Sequence, residues 1–310
     1  MKKVFIDGSA GTTGLRIAER LESRTDIELI KIPEEKRKDI KARKEALNNA
    51  DIAFLCLPDA AAIEAVSLIE NDNTVVLDTS TAHRTNESFA YGFPELSKEM
   101  EEKIKSSKRI AVPGCHASGF ISLIYPLIEK GIISKDILLS CFSITGYSGG
   151  GKQMIAAYED NELDYLLNAP RQYGIAQKHK HLPEMKAVTG IEKEPAFIPV
   201  VSNFYSGMEV TVPLFKENLN EGFSVEDIKN AYKQKYQGPV VKYKKDFDED
   251  GFVSANRLEF KDSMEISVAG NEDRILLISR YDNLGKGASG AAVECMNLVL
   301  GVDKTTGLEL

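Results

Sequence analysis

Residues 3–17 read "KVFIDGSAGTTGLRI": an apolar β-like run ending at Asp7, glycines at 8, 11 and 14, and then the opening of a helix. Glycines at such a strand-to-helix turn let the backbone approach a phosphate, and the free N–H groups of the helix N-terminus with its dipole attract it. The spacing is GxxGxxG rather than the GxGxxG dinucleotide fingerprint, so a tight βα turn without a ligand is the plain alternative. Its position decides between them. Four further apolar strands follow, "IELIKI" (27–32), "DIAFLCL" (51–57), "TVVLDT" (74–79) and "RIAV" (109–112), with helical stretches between the strands from "KVFID" to "TVVLDT". That rhythm predicts βαβ units and a parallel sheet covered by helices, a Rossmann-like doubly wound domain over residues 1–115.

Beyond it the pattern changes. "ILLSCFSITGYS", "AFIPVVSN", "GMEVTVPLF", "MEISVAG" and "RILLISRYD" are β-rich, several alternate apolar with polar residues, and helices fall between only some of them. An α+β domain with a mixed or antiparallel sheet and helices on one face is expected over 116–283. The closing "LGKGASGAAVECMNLVLG" (284–301) is helical and too apolar on one face to lie in solvent, so residues 284–310 are expected to rejoin the first domain. "KKDFDEDGF" (244–252) reads as a charged hairpin or loop, since the ligand register and closing Glu of a calcium loop are missing.

Composition excludes several classes. At 310 residues, two domains of about 150 residues are the default. The 43% apolar and 28% charged residues are those of a globular protein, and no apolar run reaches the roughly 18 residues of a membrane span. The run after "MKK" is too short for a secretory leader, which predicts a mature chain starting here, in the cytoplasm. A net charge of −8, spread along the chain, argues against a nucleic-acid partner. Cysteines at 56, 115, 141 and 295 form no CxxC pair and no disulfide framework, and no metal site is expected.

Cys115 differs from the other cysteines, which lie in apolar strand or helix contexts. In "RIAVPGCHASG" it follows a Pro-Gly turn and precedes a run that starts a helix. At a helix N-terminus a thiol of pKa roughly 8.5 is drawn towards neutrality, and the same N–H groups can hold an oxyanion after attack on a carbonyl. Such a nucleophile needs a proton carrier near neutral pH, and histidine fits. His116 adjoins the cysteine, but neighbouring side chains at a helix start diverge, which makes it the weaker partner. "KHKHLPEM" (178–185) supplies His179 and His181, on one face if extended, with Glu184 behind them. Solvated surface histidines are the alternative.

Three more strings bear on ligands. In "PEEKRKD" (33–39), Glu34 or Glu35 could accept from a ribose hydroxyl as in an NAD site, whereas Lys36 and Arg37 could hold the extra phosphate of NADP; a solvated charged loop is the alternative for any one of them, and NADP is the expectation. "GYSGGGKQM" (146–154) could present Ser148, Gly149 and backbone N–H groups to an anionic substrate, or be a flexible hairpin. "DTSTAHRT" (78–85) ends the fourth strand, where an open α/β sheet places its ligand crevice, with Ser80 on the cofactor side and Arg84 available to a phosphate or carboxylate or to a structural ion pair.

Taken together, "AVPGCHASGF", "GFPEL", "STAHR", "KHKHLPE" and "YDNLGKGASGAA", in this order and at this length, resemble the shorter (type 2) form of the N-acetyl-γ-glutamyl-phosphate reductase family of arginine biosynthesis. The resemblance spans nearly the whole chain and implies a semialdehyde dehydrogenase-like fold. It also implies NADP(H) as cofactor, with Gly11, Thr12, Thr13 and Gly14 lining the pyrophosphate and Asn283 near the nicotinamide carboxamide. The helix from Gly287 returns towards the cofactor. Cys115 corresponds to the nucleophile; His181 takes the acid/base role with His179 assisting, or the reverse; and a homodimer or homotetramer is implied. A related dehydrogenase acting on aspartyl or aminoadipyl substrates and a nucleotide-sensing protein without turnover are the alternatives.

Overall fold

The computed structural model describes residues 1–310, which divide into two compact units: Met1–Gly114 with Ala288–Leu308, and Cys115–Gly287 with Glu309–Leu310. The first unit alternates strands and helices: β1 (Lys2–Asp7), α1 (Thr12–Glu22), β2 (Ile27–Ile30), α2 (Ile40–Asn49), β3 (Ile52–Leu55), α3 (Asp59–Ser67), β4 (Val75–Asp78), β5 (Ala90–Tyr91), α4 (Lys98–Ser106) and β6 (Arg109–Ala111). The strands pair in parallel in the order β2-β1-β3-β4-β6-β5. Both faces are covered. Val4, Ile6, Phe54 and Leu77 pack with Ile17 and Leu21 of α1, while Phe5, Ala53, Leu55 and Val76 pack with Ala46 and Leu47 of α2. Burial on two faces is why these strands read as unbroken apolar runs. β5, two residues long, carries no periodicity and was not expected from the sequence.

Because β2 lies on one side of β1 and β3 on the other, the strand order reverses at β1. Open α/β sheets bind ligands at the carboxyl ends of their strands beside such a reversal. Gly8, immediately after β1, and Cys56, immediately after β3, therefore stand at the expected crevice.

The second unit contains α5 (Cys115–Glu129), β7 (Ser140–Gly146), α6 (Gly151–Tyr158), β8 (Arg171–Gln172), α7 (Leu182–Thr189), β9 (Ala196–Ser202), β10 (Met208–Phe215), α8 (Val225–Lys235), β11 (Val241–Tyr243), β12 (Met264–Gly270) and β13 (Arg274–Tyr281). Its strands run in the order β11-β12-β13-β10-β7-β9-β8, parallel for β11–β12 and β7–β9 and antiparallel elsewhere, a mixed sheet. Val210, Val212, Leu277 and Tyr281 are buried on the face where α5 meets β10 and β13. The opposite face carries an in-register row of charge: Glu209 faces Arg280, which faces Glu265 on its other side. Arg280 also reaches Glu249 and the Phe247 carbonyl, so the 244–252 loop is strapped to this row. Phe142, Phe215 and Leu276 remain exposed on that same face, which sequence alternation alone could not assign to a partner.

The chain ends with α9 (Gly290–Leu300), whose Ala291, Ala292, Val293 and Met296 join the core of the first unit beside Val4 and Ile6. Three stretches differ from the expectation: Cys115, Leu284–Gly287 and Glu309–Leu310 fall in the second unit rather than the first. The reason is local. A Cβ on Gly287 would stand 3.1 Å from the Cys115 Cβ, and the Asp282 carboxylate accepts from the N–H groups of Leu284 and Gly285 at 2.7 and 2.8 Å.

Candidate active site

The first unit holds a cleft of about 650 Å³, lined among others by Gly8, Gly11, Lys31, Arg37, Lys38 and Cys56. Gly8 has φ +87°, and a Cβ there would stand 2.3 Å from the Cys56 carbonyl oxygen, so the turn closes only with glycine. Gly14 is needed for packing: its Cβ would lie 2.4 Å from the Gly8 carbonyl oxygen. Gly11, the N-cap of α1, has no protein atom nearer than 3.5 Å to such a Cβ, which leaves the helix N-terminus open to an incoming group. Thr12 and Thr13 are half-buried in the first turn of α1. This is a cradle that a dinucleotide pyrophosphate fits.

At the end of β2 the cleft presents Lys31, Arg37 and Lys38. Lys36, singled out from the sequence, is not among the lining residues, and Arg37 is paired with Glu34 at 2.5 Å in the same loop. Lys31 and Lys38 were missed because an apolar-flanked lysine and one of several loop cations carry no distinguishing pattern. Beneath the cleft Arg43 pairs with Asp7 and Glu64. Burial pushes the Asp7 carboxyl up while Arg43 pulls it down. Burial pushes the Cys56 thiol up to about 12, which disfavours its thiolate.

The "DTSTAHRT" residues are held by one another. Asp78, fully buried, accepts from the Ser80 hydroxyl at 2.7 Å and bonds His83 Nδ1 at 2.6 Å, and His83 stacks on Phe89. Arg84 donates to the carbonyls of Val112 and Thr79 at 2.9 and 2.8 Å. Ser80 and Arg84 thus bind the ends of β4 and β6 in place, and the ligand contacts expected of them have to come from whatever donor capacity those bonds leave.

In the second unit Cys115 is the first residue of α5, a half-buried thiol outside any disulfide. The Pro113-Gly114 turn ends the preceding extended segment, and the apolar 117–127 stretch carries the helix into the core. The His116 ring lies in the same region as the other two histidines. Its ring lies 5.7 Å from His179 and 5.6 Å from His181, and those two lie 4.7 Å apart. Phe197 on β9 backs both His116 and His179. His116 bonds Ser143 Oγ at 2.7 Å through Nδ1 and Tyr173 Oη at 2.6 Å through Nε2. Burial, reinforced by His179, pushes its pKa down to about 3, so it is neutral.

His181 is buried at the start of α7, and its backbone N–H donates to His179 Nδ1 at 3.2 Å. Glu184, also buried, lies on α7 itself. Tyr173 joins the cluster from a polar loop, its hydroxyl pushed up by burial and by the Cys115 charge. A lone tyrosine there gave the sequence no signal. Asn283 accepts from the Gly207 N–H at 2.9 Å and donates to Ser148 Oγ at 3.0 Å, while a Cβ on Gly149 would stand 3.3 Å from its amide nitrogen. The fold therefore brings Asn283, Ser148 and Gly149 together.

Comparison with known proteins agrees with this division. Residues 3–105 match the family model for the semialdehyde dehydrogenase NAD binding domain, and 115–283 match that for the semialdehyde dehydrogenase dimerisation domain. The N-acetyl-gamma-glutamyl-phosphate reductase of Brucella ovis is 45% identical over 306 residues, covering 96% of this chain and 99% of that one. The protein of the same name from Sinorhizobium medicae is 43% identical, covering 96% and 98%. Among solved structures, aspartate semialdehyde dehydrogenase from Francisella tularensis superposes with a TM-score of 0.73 at 14% identity, covering 97% of this chain and 100% of that one. The Candida albicans enzyme, solved with NADP, gives 0.66 at 15%, covering 99% of both. At that identity the structures speak for the fold alone.

Proposed function

The chain belongs to the N-acetyl-γ-glutamyl-phosphate reductase family, and from that premise we propose that it reduces N-acetyl-γ-glutamyl phosphate to N-acetylglutamate semialdehyde and inorganic phosphate with NADPH, a step of arginine biosynthesis. The observation that carries the reading is the half-buried Cys115 thiol at the start of α5, in the same unit as three mutually close imidazoles.

The Cys115 thiolate attacks the acyl carbon, the N–H groups at the start of α5 hold the oxyanion, and the C–O bond to phosphate breaks to leave a thioester. The reduced nicotinamide, when bound, supplies the hydride that this thioester carbon accepts. His181 handles the proton, giving it to the thiohemiacetal oxygen and taking it back as the aldehyde forms and the thiolate leaves. Two observations favour His181. His116 is held neutral by burial, and His179 Nδ1 already accepts the His181 backbone N–H, a bond its imidazolium could not keep. Asn283, Ser148 and Gly149 form the polar wall that orients the reacting groups.

The dinucleotide would lie on Gly8 and Gly11, with Thr12, Thr13 and Gly14 shaping the helix start and Ser80 among its neighbours. Lys31, Lys38 and Arg37 at the end of β2 supply the charge that a 2′-phosphate needs, where an NAD site carries an acid. That supports NADP over NAD. The exposed Phe142, Phe215 and Leu276 on the outer sheet face support a homodimer or homotetramer, which sedimentation would detect. No helix is long and apolar enough to cross a membrane, and four cysteines outside any disulfide suit a cytoplasmic enzyme.

The test is phosphate-dependent reduction of NADP by the purified protein with N-acetylglutamate semialdehyde, beside Cys115→Ala. Turnover that requires phosphate and disappears in the variant supports substrate and nucleophile together. A folded protein that binds NADP yet turns over only the aspartyl or aminoadipyl analogue overturns the substrate assignment.

A further inference from the structure

Tyr281, at the end of β13, is fully buried, and its hydroxyl reaches the first turn of α5. It donates to the Cys115 carbonyl at 2.5 Å and accepts the Gly119 N–H at 3.0 Å. These two groups are the i and i+4 partners of the first rung of a helix, so a phenol anchored in the sheet braces the turn that carries the thiol. Helix ends fray when nothing holds them, and a nucleophile displaced by about 1 Å can cost on the order of a hundredfold in rate.

The sequence has accommodated this contact. Glycine inside a helix costs about 1 kcal/mol against alanine, yet Gly119 stands in the second turn of α5. A Cβ there would meet the Tyr281 hydroxyl at 2.6 Å, Val210 Cγ2 at 2.5 Å and Ser279 Oγ at 2.7 Å. A Cβ on Gly287 would stand only 3.1 Å from the Cys115 Cβ, so a side chain at 287 would crowd Cys115. Tyr281 and Gly287 bracket one short run. That run is fixed by the Asp282 carboxylate, which accepts from Leu284 N, Gly285 N, Ser206 Oγ and Phe260 N.

We propose that Tyr281 is a positioning residue for the reaction: its hydroxyl, bonded to both ends of the first rung of α5, clasps the backbone of Cys115 so that the thiol keeps its place at the N-terminus of α5. The inference rests on Cys115 being the nucleophile of the proposed reductase, but its principal readout needs no substrate.

The experiment is Tyr281→Phe in the full-length protein, followed by the rate of iodoacetamide alkylation of Cys115 against pH, by kcat and KM, and by thermal unfolding. Loss of the clasp moves the thiol off the helix terminus. The alkylation midpoint then shifts to higher pH, and kcat falls by about tenfold or more with KM for the nucleotide unchanged. A variant with a lower melting temperature but an unchanged alkylation profile and kcat overturns the proposal and leaves Tyr281 a packing residue. If Tyr281→Phe does not fold, Gly119→Ala with Val210→Ala replaces it, since this keeps the phenol but drives a methyl group onto its oxygen; the same two outcomes decide. Alkylation that shifts in a protein with no reductase turnover would keep the clasp and refute only the proposed reaction.

Discussion

Two buried groups in the second unit respond to acid in opposite directions. His116 is held down to about 3 by burial and then by His179, against an unfolded value of 6.5. Between those values the unfolded chain binds a proton that the native state refuses, so stability is lost as pH falls. From pH 7 to pH 5 the loss is about 2 kcal/mol at 1.36 kcal/mol per unit, and any native value below about 4 gives the same figure. Glu209 is raised from 4.5 to about 7 by burial, opposed by its Thr211 bond and by Arg280. There the native state takes the proton first, and stability rises by about 2 kcal/mol over the same interval. The wild-type slope therefore conceals both. Urea unfolding at pH 7 and pH 5 should show His116→Gln gaining about 2 kcal/mol relative to wild type on acidification and Glu209→Gln losing about 2. Parallel pH dependences for wild type and His116→Gln would show that the imidazole is not held neutral by its surroundings.

Gly8→Ala, forced to place a Cβ at 2.3 Å from the Cys56 oxygen at φ +87°, should lose about 1–3 kcal/mol of stability and weaken nucleotide binding, measured by urea unfolding and fluorescence titration. An unchanged affinity for NADP would place the dinucleotide elsewhere. Lys31→Ala should raise KM for NADPH by about tenfold and leave KM for NADH unchanged, as loss of one charge-assisted bond predicts; equal effects on both would remove Lys31 from the 2′-phosphate site. Arg280→Met leaves Glu265 with Lys244 alone and Glu249 without its buried partner and should cost about 1.5–3 kcal/mol in urea, as loss of a charged hydrogen bond predicts, whereas an unmoved midpoint would mean that the charged row contributes nothing.

The sequence by itself determined the elements and the chemistry available to them. Strands buried on both faces must be continuously apolar, and a phosphate turn must be rich in glycine, so β1–β4, β6 and the Gly8–Gly14 loop were legible as local strings. Cys115 was legible because a turn, a thiol and a helix start lie within a few residues. Tertiary structure alone decided which distant residues meet. Ser143 on β7 and Tyr173 in a loop converge on His116, and Tyr281 reaches Cys115 across 166 positions, through sheet register and packing that leave no local pattern. It also decided what predicted residues do. Arg84 reads in the string as a cation for a ligand anion or for an ion pair, whereas in the fold its guanidinium donates to the carbonyls at the ends of β4 and β6. Charge state follows the same division: a sequence lists four histidines, whereas the desolvation that keeps His116 neutral exists only once the chain has closed around it.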